Sequence, residues 1–297
     1  MVYTVALNPA LDYYVYTQNF TKGQINKGIK SEMFAGGKGI NVSTVLTRLG
    51  VDNTVLGLAA GFTGRELLRL LEKEGLKHDF FMLENGATRI NVKVCDGEES
   101  DVNMNGDIPS EEEISRFLNK FEIAKKGDTV CLCGSVQSGL KIPVYEKICE
   151  RVKQNGADIA ADTTGDNLLG TLRFSPILIQ PNFDELCEIY GDTVKTRDDI
   201  IMCAKDLCKK GAQNVMVTLG GDGAVLVTKS GDVLFEDGIK GNAVSTVGAG
   251  DSAFAGFIAK YGKTDIKDAF HFSMLCGAAT AFKCGLCTPE DIARLNG

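Results

Sequence analysis

Polar and apolar positions follow two rhythms along this chain. Apolar runs recur as VYTVAL (2–7), NTVLGLAA (53–60), TVCLC (129–133), ADIAAD (157–162), ILIQ (177–180), NVMVT (214–218) and AVLVT (224–228). Runs of this length, bounded by Gly, Asp or Asn, predict strands buried on both faces. Between them the apolar spacing changes to three and four. That predicts helices over 40–49, 64–74 and 143–154, with others opening at Gly250 and Asp265. Ser110 and Glu113 have capping-box spacing ahead of a further helix, and Gly75 is placed to end the helix before it. Alternation of strand and helix predicts a mainly parallel sheet covered on both faces, a three-layer α/β/α architecture.

Two stretches break that alternation. Residues 12–35 and 88–106 carry period-two patterns with no helix between strands, and predict a small antiparallel sheet acting as a lid. No long linker, repeat or low-complexity tract interrupts the chain, so the expectation is one domain over 1–297 with that lid.

Composition narrows the function classes. The 297 residues are 44% hydrophobic with a net charge of −7, ordinary for a protein with a large core. Both signs of charge are scattered, which excludes the concentrated basic face that nucleic acid or an anionic membrane surface requires. No apolar run approaches the roughly 18 residues that span a bilayer, and the N-terminus reads as a strand rather than a signal peptide. A cytoplasmic protein is expected. In that setting the ten cysteines read as small core residues rather than disulfides. Cys284 and Cys287 have zinc or redox spacing, but no second CxxC completes a ligand set.

The most informative segment is Ser245-Thr-Val-Gly-Ala-Gly-Asp-Ser252, which runs straight into the apolar helix AFAGFIAKY. Gly248 and Gly250 permit a tight turn that aims the N–H groups of Ala249, Gly250 and Asp251 at one point. That point is a helix N-terminus, where an anion is favoured. Asp251 stands in the turn although a carboxylate repels phosphate. A plain anion loop has no use for it, whereas phosphoryl transfer needs a proton acceptor there. An N-capping aspartate is the competing account. In TRINVKV (88–94) alternation puts Arg89, Asn91 and Lys93 on one face. Two cations beside an apolar face suit a lid strand over an anionic ligand, and equally a solvated sheet edge. No G-x-G-x-x-G opens the first strand–turn–helix unit, which argues against a dehydrogenase.

GAGD before an apolar helix resembles the C-terminal signature of the ribokinase-like, or phosphofructokinase B, kinase family. Gly36-Gly-Lys-Gly-Ile-Asn41 resembles the family's N-terminal signature. Order, separation and flanking strands match, and the resemblance spans essentially the whole chain. It implies a ribokinase-like fold, ATP and Mg²⁺ as cofactors, and a homodimer paired through its lids. Asp251 would be the base, with Gly248, Ala249 and Gly250 around the transferring phosphoryl group.

The same resemblance distributes further roles. Asn8-Pro-Ala-Leu-Asp12 looks like the segment in which Asp12 holds sugar hydroxyls, and Gly36, Gly37, Lys38 and Asn41 look like the sugar-binding turn. Asn41 at a helix start also fits satisfying its own backbone. Asn182 and Glu185 resemble the family's N-x-x-E segment, which implies nucleotide phosphate contact for Asn182 and a metal role for Glu185; an ordinary helix cap fits Asn182 too. Thr218, Gly220, Gly221 and Gly223 look like the nucleotide loop, and equally like a hairpin turn. ATP is then expected across that loop and the helix near 276–284.

TRINVK resembles the branch acting on fructose 1-phosphate, which places Arg89, Asn91 and Lys93 at the substrate, and STVGAGDS favours the wider phosphofructokinase branch over ribokinase and adenosine kinase. Ser135 and Ser138 resemble that branch's phosphate-contacting turn, although Val136 and Gln137 replace its Leu-Pro. The implied reaction converts fructose 1-phosphate to the 1,6-bisphosphate. Alternatives are a tagatose-6-phosphate or fructose-6-phosphate kinase, or a non-catalytic nucleotide or sugar-phosphate sensor.

Overall fold

The computed structural model describes residues 1–191 and 193–296. Its first half lays down β1 (Val2–Ala6), β2 (Ala10–Thr17), β3 (Gly28–Gly36), α1 (Lys38–Arg48), β4 (Asn53–Ala60), α2 (Gly61–Lys73), β5 (His78–Leu83), β6 (Arg89–Asp96) and β7 (Glu98–Val102). The middle supplies α3 (Glu111–Leu118), β8 (Thr129–Cys133), α4 (Val144–Gln154), β9 (Asp158–Asp162), α5 (Gly165–Thr171), β10 (Leu178–Ile179), α6 (Phe183–Tyr190) and α7 (Arg197–Lys210). The rest comprises β11 (Asn214–Thr218), β12 (Ala224–Thr228), β13 (Val233–Glu236), α8 (Ala249–Lys260), α9 (Ile266–Ala281) and α10 (Pro289–Leu295).

Nine strands form the main sheet in the order β13-β12-β11-β10-β9-β8-β1-β4-β5. Every pairing from β5 through β11 is parallel, and β12 and β13 add antiparallel strands at one edge. Successive residues of a strand face opposite ways, and the core shows it. Val130 and Leu132 pack with residues of α3, α4 and α7, while Cys131 and Cys133 pack with α1, α8 and α9. Helices therefore cover both faces, as the apolar runs require. No helix among the described residues is long and apolar enough to cross a membrane.

The chain builds outward from β1 in one direction and then, from β8, in the other. Such a reversal opens a crevice at the carboxyl ends of the strands, where ligands of open α/β sheets bind. Over it stands a second, four-stranded sheet in the order β3-β2-β6-β7. This lid departs from the antiparallel expectation, because its central strands β2 and β6 pair in parallel. The cause is where they start. β2 follows β1 and β6 follows β5, two strands pointing the same way, so both rise from the same end of the body. Leu11, Met33, Ala35 and Ile90 on the lid join Ile40, Leu67 and Leu71 of the body in a separate apolar cluster that seats its base.

Candidate active site

α8 begins at Gly248, which takes the left-handed conformation (φ 78°) and brings no capping side chain. A carboxylate is therefore not the cap here. Asp251 lies one turn inside the helix, 5% exposed, and its Oδ2 accepts a hydrogen bond from Asn41 Nδ2 at 2.8 Å. Burial, then the negative charge of Asp162, push its pKa up to about 7, against the opposing pull of Lys38 and Asn41. The neighbouring N–H groups are poised for an anion, with one difference from expectation. Ala249 N–H already donates to Thr246 O at 3.2 Å. Those of Gly250 and Asp251 have no acceptor among the described residues.

Lys38, at the start of α1, reaches the same point from the opposite side. Its Nζ lies 2.7 Å from Asp162 Oδ1 and 3.8 Å from Glu185 Oε1. Burial alone would lower its pKa, but the carboxylates of Asp162, Asp251 and Glu185 outweigh that and raise it. Asp162 ends β9, is buried, and leaves Oδ2 without a hydrogen-bond partner. Asn182 and Glu185 form a reciprocal capping box on α6: Asn182 Oδ1 accepts from Glu185 N–H at 2.8 Å, and Glu185 Oε2 accepts from Asn182 N–H at 2.9 Å. The helix-cap account thus describes Asn182, and it leaves Glu185 Oε1 facing Lys38. Burial raises the Glu185 pKa, with Lys38 working against it.

A cavity of about 200 Å³ adjoins this cluster, lined by Asn8, Gly37, Lys38, Arg89, Gly134 and Ser135 among others. Arg89 donates from Nε and Nη2 to Asn8 O, at 3.2 and 2.9 Å, and from Nη1 to Met104 O at 2.9 Å. Its lid neighbours face other partners. Asn91 Nδ2 donates to Asp12 Oδ1 at 2.8 Å, and Lys93 Nζ lies 2.5 Å from Asp101 Oδ2. Ser138 is exposed and outside the lining, while Gln137 turns inward and donates to Leu7 O at 2.7 Å. Asp12 and Asn41 line a larger space of about 840 Å³ beneath the lid, beside residues 243–247. A Cβ at Gly36 would overlap the Asp12 carboxylate, so a larger residue there would have to displace that side chain.

Thr218 ends β11 and leads into a hairpin, with Leu219 N–H donating to Gly223 O at 2.8 Å before β12 returns. Gly220 and Gly221 are exposed at its tip. Cys284 is exposed and Cys287 buried. No group of three or more His, Cys, Asp or Glu among the described residues is arranged to hold a metal ion.

Two residues at this crevice have no place in the sequence-derived site, Asp162 and Gln180. Gln180 follows β10 and donates from Nε2 to Gly250 O at 2.8 Å. Each is a single polar residue closing an apolar strand. In a parallel sheet that position itself marks the ligand crevice, a signal independent of any motif.

Comparison with known proteins follows the same lines. The description of the pfkB family of carbohydrate kinases matches residues 5–293. The 1-phosphofructokinase of Bacillus subtilis (strain 168) is 40% identical over 296 residues, covering 99% of this chain and 97% of its own. The D-tagatose-1-phosphate kinase of Bacillus licheniformis is 31% identical, covering 100% of this chain and 96% of its own. The crystal structure of phosphofructokinase-2 from Escherichia coli in complex with substrates and products superposes with a TM-score of 0.92 at 26% identity, over 99% of this chain and 97% of that one.

Proposed function

This chain belongs to the pfkB family of carbohydrate kinases, and on that premise we propose that it is a cytoplasmic enzyme transferring the γ-phosphoryl group of ATP to the carbon 6 hydroxyl of fructose 1-phosphate. One observation carries the chemistry. A buried carboxylate with its pKa raised to about 7 sits beside unpaired N–H groups at a helix N-terminus. A base near neutrality can take the hydroxyl proton at working pH. Asp251 does so in this reading, and Asn41 fixes its orientation. The Gly250 and Asp251 N–H groups and the Lys38 ammonium stabilise charge on the phosphoryl oxygens.

Arg89 and Ser135 hold the phosphate the sugar already carries, in the smaller cavity, and Asp12 holds hydroxyls beneath the lid. The exposed backbone of Gly220 and Gly221 supports ATP lying along the Thr218 hairpin. Asp162, with its unpaired buried oxygen, and Glu185 form a hard-oxygen donor set that fits Mg²⁺ held through water. Bound there with ATP, Mg²⁺ supplies neutralising charge to the phosphate oxygens.

Two curated relatives, both named for sugar 1-phosphates, favour a 1-phosphate over the 6-phosphate alternatives. They differ in sugar, and fructose and tagatose are epimers at carbon 4, so tagatose 1-phosphate is the second reading. An ADP-release assay with both 1-phosphates, both 6-phosphates and free fructose separates them. The highest kcat/KM is expected for fructose 1-phosphate. Preference for tagatose 1-phosphate selects the second reading, and preference for a 6-phosphate or the plain sugar overturns both.

A further inference from the structure

We propose that Gln180 is a positioning residue for phosphoryl transfer, holding the peptide between Gly250 and Asp251 so that the Asp251 N–H faces the transferring group. The inference rests on the kinase reading above and deepens it. Gln180 lies at the floor of the crevice, 3% exposed, with its own N–H bound to Ala161 O at 3.1 Å. Its side-chain Nε2 donates to Gly250 O at 2.8 Å. In a trans peptide the carbonyl and the following N–H point in opposite directions. A donor that pins Gly250 O therefore aims Asp251 N–H away from Gln180. Asn41 meanwhile holds the Asp251 carboxylate at 2.8 Å. The first turn of α8, which has no capping side chain, is thus braced beyond its own helical ladder, at its backbone by one residue and at its base by another.

The other half of the amide shows why the residue is polar. Gln180 Oε1 is buried without a hydrogen-bond partner. Turning the amide over would set Oε1 against Gly250 O, two acceptors face to face, so the orientation is determined. A buried oxygen left unpaired is unfavourable, and an apolar side chain of the same size would avoid that cost. The donor contact to Gly250 is what an apolar residue could not provide.

Q180M keeps length and removes the donor, and Q180E keeps shape while replacing the donor with an acceptor. The wild-type acceptor panel is run first. If another sugar phosphate is preferred, the substrate reading fails alone and the variants are measured with that sugar. Deleting one donor to a transition-state oxyanion lowers kcat by about 10²–10³. A donor left present but misaimed is expected to lower it at least about tenfold in both variants, with KM for the sugar phosphate within about twofold.

Thermal midpoints without nucleotide should stay within a few degrees of wild type. The extra thermal stabilisation that aluminium fluoride gives over ADP, Mg²⁺ and sugar phosphate alone should disappear. The pH midpoint of Q180M activity should match wild type, because Asp251 is intact. Q180M at wild-type kcat overturns the proposal whatever Q180E does. So does a loss of activity in both variants that tracks a loss of thermal stability, which would make Gln180 a packing residue.

Discussion

A carboxylate serves best as a base when its pKa lies near the working pH, and Asp251 is held there by burial and by Asp162. Activity should rise with pH through about 7 and level off above it, since the charged form accepts the proton. Asp251→Asn should remove that dependence and lower kcat by roughly 10²-fold or more, while sugar-phosphate binding persists. The same shift has a sign for stability. Asp251 is raised from an ordinary 3.8 to about 7, so the folded chain holds this proton more tightly than the unfolded one. Its favourable contribution is complete below about pH 4 and lost as pH climbs to 7. The asparagine variant, which cannot charge, should melt above wild type at pH 8, with the gap closing toward pH 4; calorimetry at both pH values checks it. Asp251 was legible in the sequence because its glycines and carboxylate share one turn. Asp162 and Gln180 were not, because their partners Lys38 and Gly250 lie 124 and 70 residues away. The signal such a residue carries, closing an apolar strand at the crevice end of a parallel sheet, comes from the topology and not from any local motif.

The lid shows what periodicity can and cannot give at the scale of elements. Alternation in 88–94 put Arg89, Asn91 and Lys93 on one face, but nothing in it distinguished the residue at the cavity from the two bound to Asp12 and Asp101. The parallel pairing of β2 with β6 also lay beyond it, since that follows from where the two strands leave the body. Edge strands β5 and β13 were missed for a related reason. Each is partly exposed along its length, and its apolar run is short, Phe80 to Leu83 in one and Val233 to Phe235 in the other. Arg89 tests the lid's part in the chemistry. A charge-assisted contact contributes about 1.5–3 kcal/mol, so Arg89→Ala should raise KM for fructose 1-phosphate roughly ten- to a hundred-fold and leave KM for ATP nearly unchanged. Arg89→Lys should recover only part, because an ammonium lacks the guanidinium fork. Equal weakening of both substrates would mean that the lid does not read the sugar's phosphate.

For the whole molecule, the lid leaves an open question of cover. Its outer strands β3 and β7 have no further partner in the sheet order, and Ile29, Phe34 and Val102 are 70%, 44% and 54% exposed. Bare edges and apolar side chains invite a partner. Pairing of two lids is the proposed cover, and sedimentation velocity at assay concentration should show a dimer. Phe34→Glu should shift it toward monomer, and a wild-type chain that sediments only as monomer would discard the idea.

One contact described above also governs how the protein comes into being. Asn41 and the Asp251 it holds are 210 residues apart, and the apolar stripe of α1, Val42, Val45 and Leu46, is packed against Phe254 and Phe257 of α8. A ribosome delivers α1 long before α8. Until then that stripe has no mate, and the nascent chain must shelter it from aggregation or hand it to a chaperone. Contacts this distant in sequence also close slowly. Assembly of the site is thus a late event of folding.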